Sequence, residues 1–216
     1  MQHMRQWVAG AVGAMVLAGS LTGCLFGTDG TDGTDGKDDK AGAPAAPKLG
    51  DKGTACELPV RFTLEKPWKA KEVDKAIQKQ IGPLADQGPV TIVCELDAKP
   101  AGHIGFIRVL TGTKDTAAPG GTSRALMRAF VKDANFESRV KLREVKAGDL
   151  PATEASYYVT DVSAGEIRPV RALAVMTERG GVVLELGGMD AEEHKAMLPA
   201  FRLAKESMEK TGGKSG

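Results

Sequence analysis

Aromatic residues are scarce in this sequence: two Trp, two Tyr and six Phe in 216 residues. So few large rings are needed to fill a core. That argues against reading Trp68, Tyr157 and Tyr158 as an aromatic-lined groove. Adjacent Tyr157 and Tyr158 must point to opposite sides of a strand, so at most one of them is core. Charge of one sign is lacking too, because 29 basic residues face 28 acidic ones. Nucleic-acid binding wants a strong basic excess, and none is expected here. Histidine and cysteine each occur three times. With no CxxC pair there is no zinc-type site, and no metal or cofactor is expected. No Gly-x-Ser-x-Gly elbow, Ser-x-x-Lys, His-Glu-x-x-His or phosphate-binding loop is present. Past residue 23 the only histidines are His103 and His194. His103, at the start of a strand, reads as structural or merely exposed. His194 falls in the first turn of a helix, where a charged imidazole is disfavoured, and reads as an exposed side chain. Glu192 and Glu193 are adjacent on a helix and do not face each other. No catalytic residue is assigned, and a non-enzyme is expected.

Long hydrophobic runs are also missing. A transmembrane helix needs roughly 20 consecutive apolar residues, and the one apolar run, Trp7 to Ala18, is shorter. It follows Arg5, contains no acid, and ends in Leu21-Thr22-Gly23-Cys24. This division is that of an export signal. The last four residues resemble a bacterial lipobox. A thiol at Cys24 is the nucleophile that accepts a diacylglyceryl group, with acyl chains of the palmitate class. Small Thr22 and Gly23 let a peptidase reach the Gly23–Cys24 bond. Residues 1–23 are therefore expected to be a lipoprotein signal peptide and Cys24 the lipidated N-terminus. Two or more acyl chains hold a protein stably on a membrane. Leu25 follows the cysteine, so no retention signal of the Asp type is visible. The expected location is the extracytoplasmic face of the cell membrane. Cleavage removes Arg5 and no acid, which takes the 29 basic residues to 28 against 28 acidic ones.

Residues 24–53 read as the lipidated cysteine and a disordered tether. Thr-Asp-Gly occurs three times from Thr28 to Gly36, then Lys37-Asp38-Asp39-Lys40 and an Ala/Pro stretch follow. Such a segment cannot bury apolar surface. As a flexible chain it spans roughly 30 Å. The period of three in its acids does not fit an EF-hand loop. Residues 54–211 turn globular and make one domain of ordinary size. Residues 212–216 are a disordered tail. Cys56 and Cys94 both sit on apolar faces of alternating strands: Cys56, Leu58, Val60, Phe62 and Leu64 in one, Val90, Ile92, Cys94 and Leu96 in the other. In an oxidising compartment they are expected to form a disulfide. A loop of this length stabilises by roughly 4 kcal/mol in the chain-entropy model.

Periodicity fills in the domain. Strands are expected at Cys56–Leu64, Val90–Ala98, Ile104–Leu110, Arg139–Val145, Ala155–Val162, Val170–Thr177 and Val182–Leu186. A helix is expected over Ala70–Ile81. A second runs from Ser123 to about Ala134, capped by Thr122 or Ser123, and buries Leu126, Met127, Phe130 and Val131. Glu178-Arg179-Gly180-Gly181 is a hairpin turn. Asp190 and Glu193 fit a capping box. The last helix carries Met197, Phe201, Ala204 and Met208 on one stripe, and Pro199 should kink it or begin a fresh turn. The class is α+β, a mostly antiparallel sheet covered by helices.

A strand carrying Phe62 and followed by Trp68, the helix from Ser123, the Val170–Leu186 hairpin, and a last helix with Phe201 and Ser207 together resemble the PsbP-like fold. That fold is named for an extrinsic photosystem II subunit and is shared by a Ran-binding nuclear import factor and small mycobacterial lipoproteins. The resemblance spans most of residues 56–210, and the cysteine pair departs from it. It implies an α/β/α sandwich and a binding or accessory role, since members act as assembly factors, partners or accessory subunits. Fold alone does not assign function. The chain's own candidate binding residues are Arg139, Lys141 and Arg143. They alternate with Val140 and Leu142 and would form a basic ridge facing anionic wall polymer or lipid head groups, or simply a solvated outer sheet face. The expectation is a membrane-anchored, non-enzymatic protein with a protein or cell-envelope partner. An envelope hydrolase and a small-ligand carrier are the rivals.

Overall fold

The computed structural model describes residues 46–113, 115, 121–133, 137–161 and 165–212. Gly23, Cys24, the signal segment, the Asp-rich repeat and residues 213–216 lie outside the described residues. The described structure includes a strand before Thr54, within the stretch expected to be tether. Strand β1 (Lys48–Leu49) pairs with β2 (Val60–Thr63), with Leu49 opposite Phe62. One buried leucine at the end of an Ala/Pro stretch is enough to dock it.

The remaining strands are β3 (Lys69–Glu72), β4 (Asp86–Gln87), β5 (Val90–Asp97), β6 (Phe106–Gly112), β7 (Glu137–Ala147), β8 (Leu150–Asp161), β9 (Glu166–Thr177), β10 (Gly180–Gly187) and β11 (Glu209–Lys210). Helices α1 (Lys75–Ile81), α2 (Ser123–Asp133) and α3 (Ala191–Glu206) complete the set. One sheet is eight-stranded, in the order β3-β5-β6-β10-β9-β8-β7 with β4 pairing to β5; the other is three-stranded, β1-β2-β11. The large sheet is antiparallel throughout.

Its two faces carry separate cores. On one, Ile107, Val109, Leu173, Val175, Leu184 and Leu186 pack against Met197, Phe201 and Ala204 of α3 and against the small sheet. On the other, Leu110, Val183, Tyr157 and the small residues Ala155, Ala172 and Ala174 receive Leu126, Met127, Phe130 and Val131 of α2. Consecutive apolar residues in β9 and β10 point to opposite faces, which gives this two-sided burial directly. Thr122 Oγ1 accepts from the Ala125 N–H at 3.1 Å and so caps α2. The turn between β4 and β5 presses on that helix: a Cβ on Gly88 (φ +58°) would meet Ala129 O at 2.8 Å, so the position needs glycine.

Four expectations change. Residues 69–72 are an edge strand, not the first turn of a helix, and Asp74 caps a shorter α1 instead. Cys56 and Leu58 are buried but precede β2 rather than extending it. Strand β5 does not keep Val90, Ile92, Cys94 and Leu96 on one face, because the register shifts between Ile92 and Cys94. The extra residue, Val93, is a β-bulge. Val90 and Ile92 join the α2 core, while Cys94 and Leu96 join the α3 core. There Cys94 forms the expected disulfide with Cys56, at 6.0 Å between Cα atoms. Helix α3 runs continuously through Pro199.

Candidate functional site

Helix α1 is only lightly anchored. Its seven residues include none that is fully buried. Gln78 fastens it, donating from Nε2 to Ile92 O at 2.8 Å and Val73 O at 3.1 Å. The first of these carbonyls stands beside the β5 bulge, where the ladder is interrupted. Ile77 and Ile81 lean half-buried towards the α2 core. A short 3-10 turn, Gly82–Ala85, then leaves Leu84 84% exposed.

Beneath this overhang lies a groove of about 630 Å³. Val73, Ile77, Ile81, Leu84 and Ile92 supply its apolar wall, and Glu72, Asp86, Asp133 and Glu95 line it with Lys71 and Arg108. Glu95 is committed to Arg108, with Nε 3.8 Å from Oε2. The rim is therefore acidic. A more polar hollow of about 590 Å³ lies by Thr54–Glu57, Asp74 and Gln78, sharing Glu72 and Val73 with the groove.

Arg108 also joins the groove to a smaller cavity of about 170 Å³, which Phe106, Val159, Val170, Arg168 and Glu185 line. Its guanidinium lies 4.2 Å over the Phe106 ring. Tyr157 donates its O–H to Glu185 at 3.1 Å. Burial pushes the Glu185 carboxyl above the usual carboxylate range, against the pull of Arg108 and the Tyr157 hydroxyl. Ile104 and Met189, both largely exposed, stand at the mouth. Apolar walls with a few convergent polar groups are the usual make-up of a ligand site.

The α3 face carries a different cluster. Glu154 of β8 has a side chain only 4% exposed and accepts from three cations. Oε1 takes Arg171 at 2.7 Å and Arg143 at 2.9 Å, and Oε2 takes Lys205 at 2.9 Å. Burial pushes this carboxyl up, but the hydrogen bonds from Lys205, Arg171 and Arg143 outweigh it and hold the pKa at about 2. Lys141 lies on the same side as Arg143, opposite Ser156. The strict alternation expected for Arg139, Lys141 and Arg143 is broken by a second register shift, between Ser138 and Lys141. Arg139 sits inside it at φ +55°, and its guanidinium lies 5.5 Å from the Tyr158 ring. Tyr157 is core and points to the α2 face, so Tyr158 points to the α3 face. Its contact with the Tyr158 ring places the Arg139 guanidinium on the α3 side with Lys141 and Arg143, despite the bulge.

His194 is not the exposed side chain expected. It is 6% exposed and faces the α3 core. Its Nδ1 and Arg171 Nε are buried without hydrogen-bond partners. Burial first, then the Arg171 charge, lowers its pKa to about 4. His103 is half-buried at the β5–β6 connection. Asp190 caps α3 by accepting from Glu192 and Glu193 N–H. Glu193 does not close the box on Asp190. It accepts from Met189, Ile104 and Gly105 N–H, tying the β5–β6 connection to the helix start. Among the described residues no cluster of three or more His, Cys, Asp or Glu is placed to hold a metal ion. No helix among them is long and apolar enough to cross a membrane.

Sequence reasoning missed Glu154, Arg171, Lys205, Arg108 and Glu185. A signal existed for two of them. Glu185 is the one carboxylate of a largely buried strand, and Glu154 sits among buried Ala152, Thr153 and Ala155, where an acid is seldom found unpaired.

A family model described as "uncharacterised lipoprotein" matches residues 27–208. No curated protein sequence matches the chain. The solution structure of cyanobacterial PsbP (CyanoP) from Synechocystis sp. PCC 6803 is similar at 12% identity and a TM-score of 0.50, covering 81% of this chain and 98% of that one. The crystal structure of LpqN, described as involved in cell envelope biogenesis of Mycobacterium tuberculosis, is similar at 15% identity and a TM-score of 0.38, covering 73% and 86%. The first likeness is one of fold: the domain is a PsbP-like sandwich of helices on both faces of an antiparallel sheet.

Proposed function

The chain belongs to this family of uncharacterised lipoproteins, and from that premise we propose that it is a lipid-anchored extracytoplasmic protein that works by binding a partner rather than by catalysis. The observation that carries the reading is the groove under α1. It pairs an apolar wall and a nearly bare leucine, Leu84, with an acidic rim of Glu72, Asp86 and Asp133. That combination suits a protein segment with apolar side chains flanked by lysine or arginine. The ionisable groups support the same reading. Glu154 is saturated by its three cations, Glu193 by backbone N–H groups, and His194 is enclosed. None of these is paired with a nucleophile, as covalent or general acid–base catalysis requires.

A photo-crosslinking residue at position 84, introduced in the cell, should give an envelope protein adduct, and one at exposed Lys210 should not. Glu72→Lys should weaken capture at position 84 by about ten-fold, one charge-pair's worth of complementarity. Equal capture at both positions would sink the proposal. Glu185 favours the enzymatic alternative, because its carboxyl is raised and it borders a cavity. Turnover of an envelope substrate that Glu185→Gln abolishes would establish that alternative instead.

A further inference from the structure

We infer that the part of the α3 face left uncovered by α3 is a docking surface for anionic phospholipid, which lays the domain on its own membrane with the groove turned away from it. The inference rests on the lipid-anchored reading above. Arg139, Lys141, Arg143, Arg171 and Lys205 share this side of the sheet with Glu154. Around Glu154 the strands β7 and β9 and the end of α3 thus gather five cations, in a chain whose overall formal charge is only +1. The carboxylate is buried and the cations are not all so: the Arg143 side chain is 67% exposed. Glu154 therefore organises the cluster from beneath without presenting charge to solvent.

The chemistry around the cations fits a bilayer interface. Tyr158 lies under the Arg139 guanidinium. Ile167, opposite Thr160 on the same side, is 61% exposed. An amphipathic ring and an apolar side chain among cations are what the head-group region accepts. The chain enters the domain at β1, in the small sheet that packs with α3 on this same face. The described chain thus begins on the same face as the basic cluster. The acidic groove lies on the opposite face, where an anionic surface would repel it.

The test uses the full lipidated chain on two vesicle types, phosphatidylcholine alone and phosphatidylcholine with a third of its lipid replaced by phosphatidylglycerol. Amine labelling read by mass spectrometry should find Lys141 and Lys205 protected on the anionic vesicles only. High salt should remove that protection. Lys79 on α1 should label equally on both. Arg139→Gln with Lys141→Gln leaves the Glu154 cluster intact and should lower the docking equilibrium by about 25-fold, near five-fold per cation. Equal protection on the two vesicles, protection of Lys79 in place of Lys205, or protection that needs an added phosphate-rich envelope polymer would overturn the inference. A chain that floats with anionic vesicles but not with neutral ones would support the docking surface while removing the anchor.

Discussion

The two faces of the large sheet are built to different standards of closure. The α3 face is sealed by a 16-residue helix, a second sheet and a disulfide. Its one buried acid has a cation for each available direction. The α2 face is sealed only where α2 lies. Beyond that helix a seven-residue helix with no buried residue overhangs open space, and a raised carboxyl is left beside a cavity. The contrast separates stability from recognition. Substitutions among the buried groups of the first face should unfold the domain, and those in the groove of the second should change which partner it binds.

The largest effect is expected at Glu154. Glu154→Ala removes the carboxylate and leaves three cations crowded in a partly dry site. Breaking a buried pair in this way costs about 3–5 kcal/mol, so the urea midpoint should fall steeply while the groove keeps its shape. A shift below about 1 kcal/mol would break the comparison, since the acid would then act as a surface group.

Cys56→Ala with Cys94→Ala should come next, at about 2–4 kcal/mol by denaturant unfolding under oxidising conditions. It loosens the segment before β2, which covers the α3 face.

The acid response sharpens the contrast further. Glu154 is held at about 2 in the folded state against an ordinary 4.5. Its contribution is full above pH 4.5 and is lost as the pH falls towards 2. His194 is held at about 4 against 6.5, so the folded state favours the neutral ring. Stability falls as the pH drops from 6.5 towards 4, by up to about 3 kcal/mol. His194→Gln should erase this upper step and leave the lower one, as measured by unfolding midpoints across that range. Persistence of the upper step in the variant would mean another group carries it.

The smallest effect on stability is expected where recognition is proposed. Leu84→Asp touches a side chain already in water and should stay within about 0.5 kcal/mol, yet abolish partner capture in the groove. A loss of several kcal/mol there would show that the overhang is structural after all.

Much of the fold was legible because its signals are local. Strands β9 and β10 are near-continuous apolar runs, and α2 and α3 carry apolar stripes. His194 belonged to the α3 stripe by spacing, three residues before Met197 and seven before Phe201, and only the argument about its charge placed it outside. Strand β3 was hidden because its sequence, KAKE, has no apolar alternation; it is defined by pairing with β5. The Glu154 cluster was hidden because its members come from β7, β8, β9 and the end of α3 and meet only through register. The groove was hidden because it is a space left between elements rather than a pattern within one.

Val93 shows how little separates the two faces. A strand has two sides, and side is counted by parity. Before Val93 the count assigns residues to α2, and after it to α3. Deleting this single residue would leave composition, charge and hydrophobicity almost untouched. It would also close the bulge and make Cys94 the direct neighbour of Ile92, which keeps the thiol opposite Val109 on the α3 side, beside Cys56. Deleting Val93 should therefore give a regular β5–β6 ladder with the Cys56–Cys94 disulfide retained, as non-reducing peptide mapping would show.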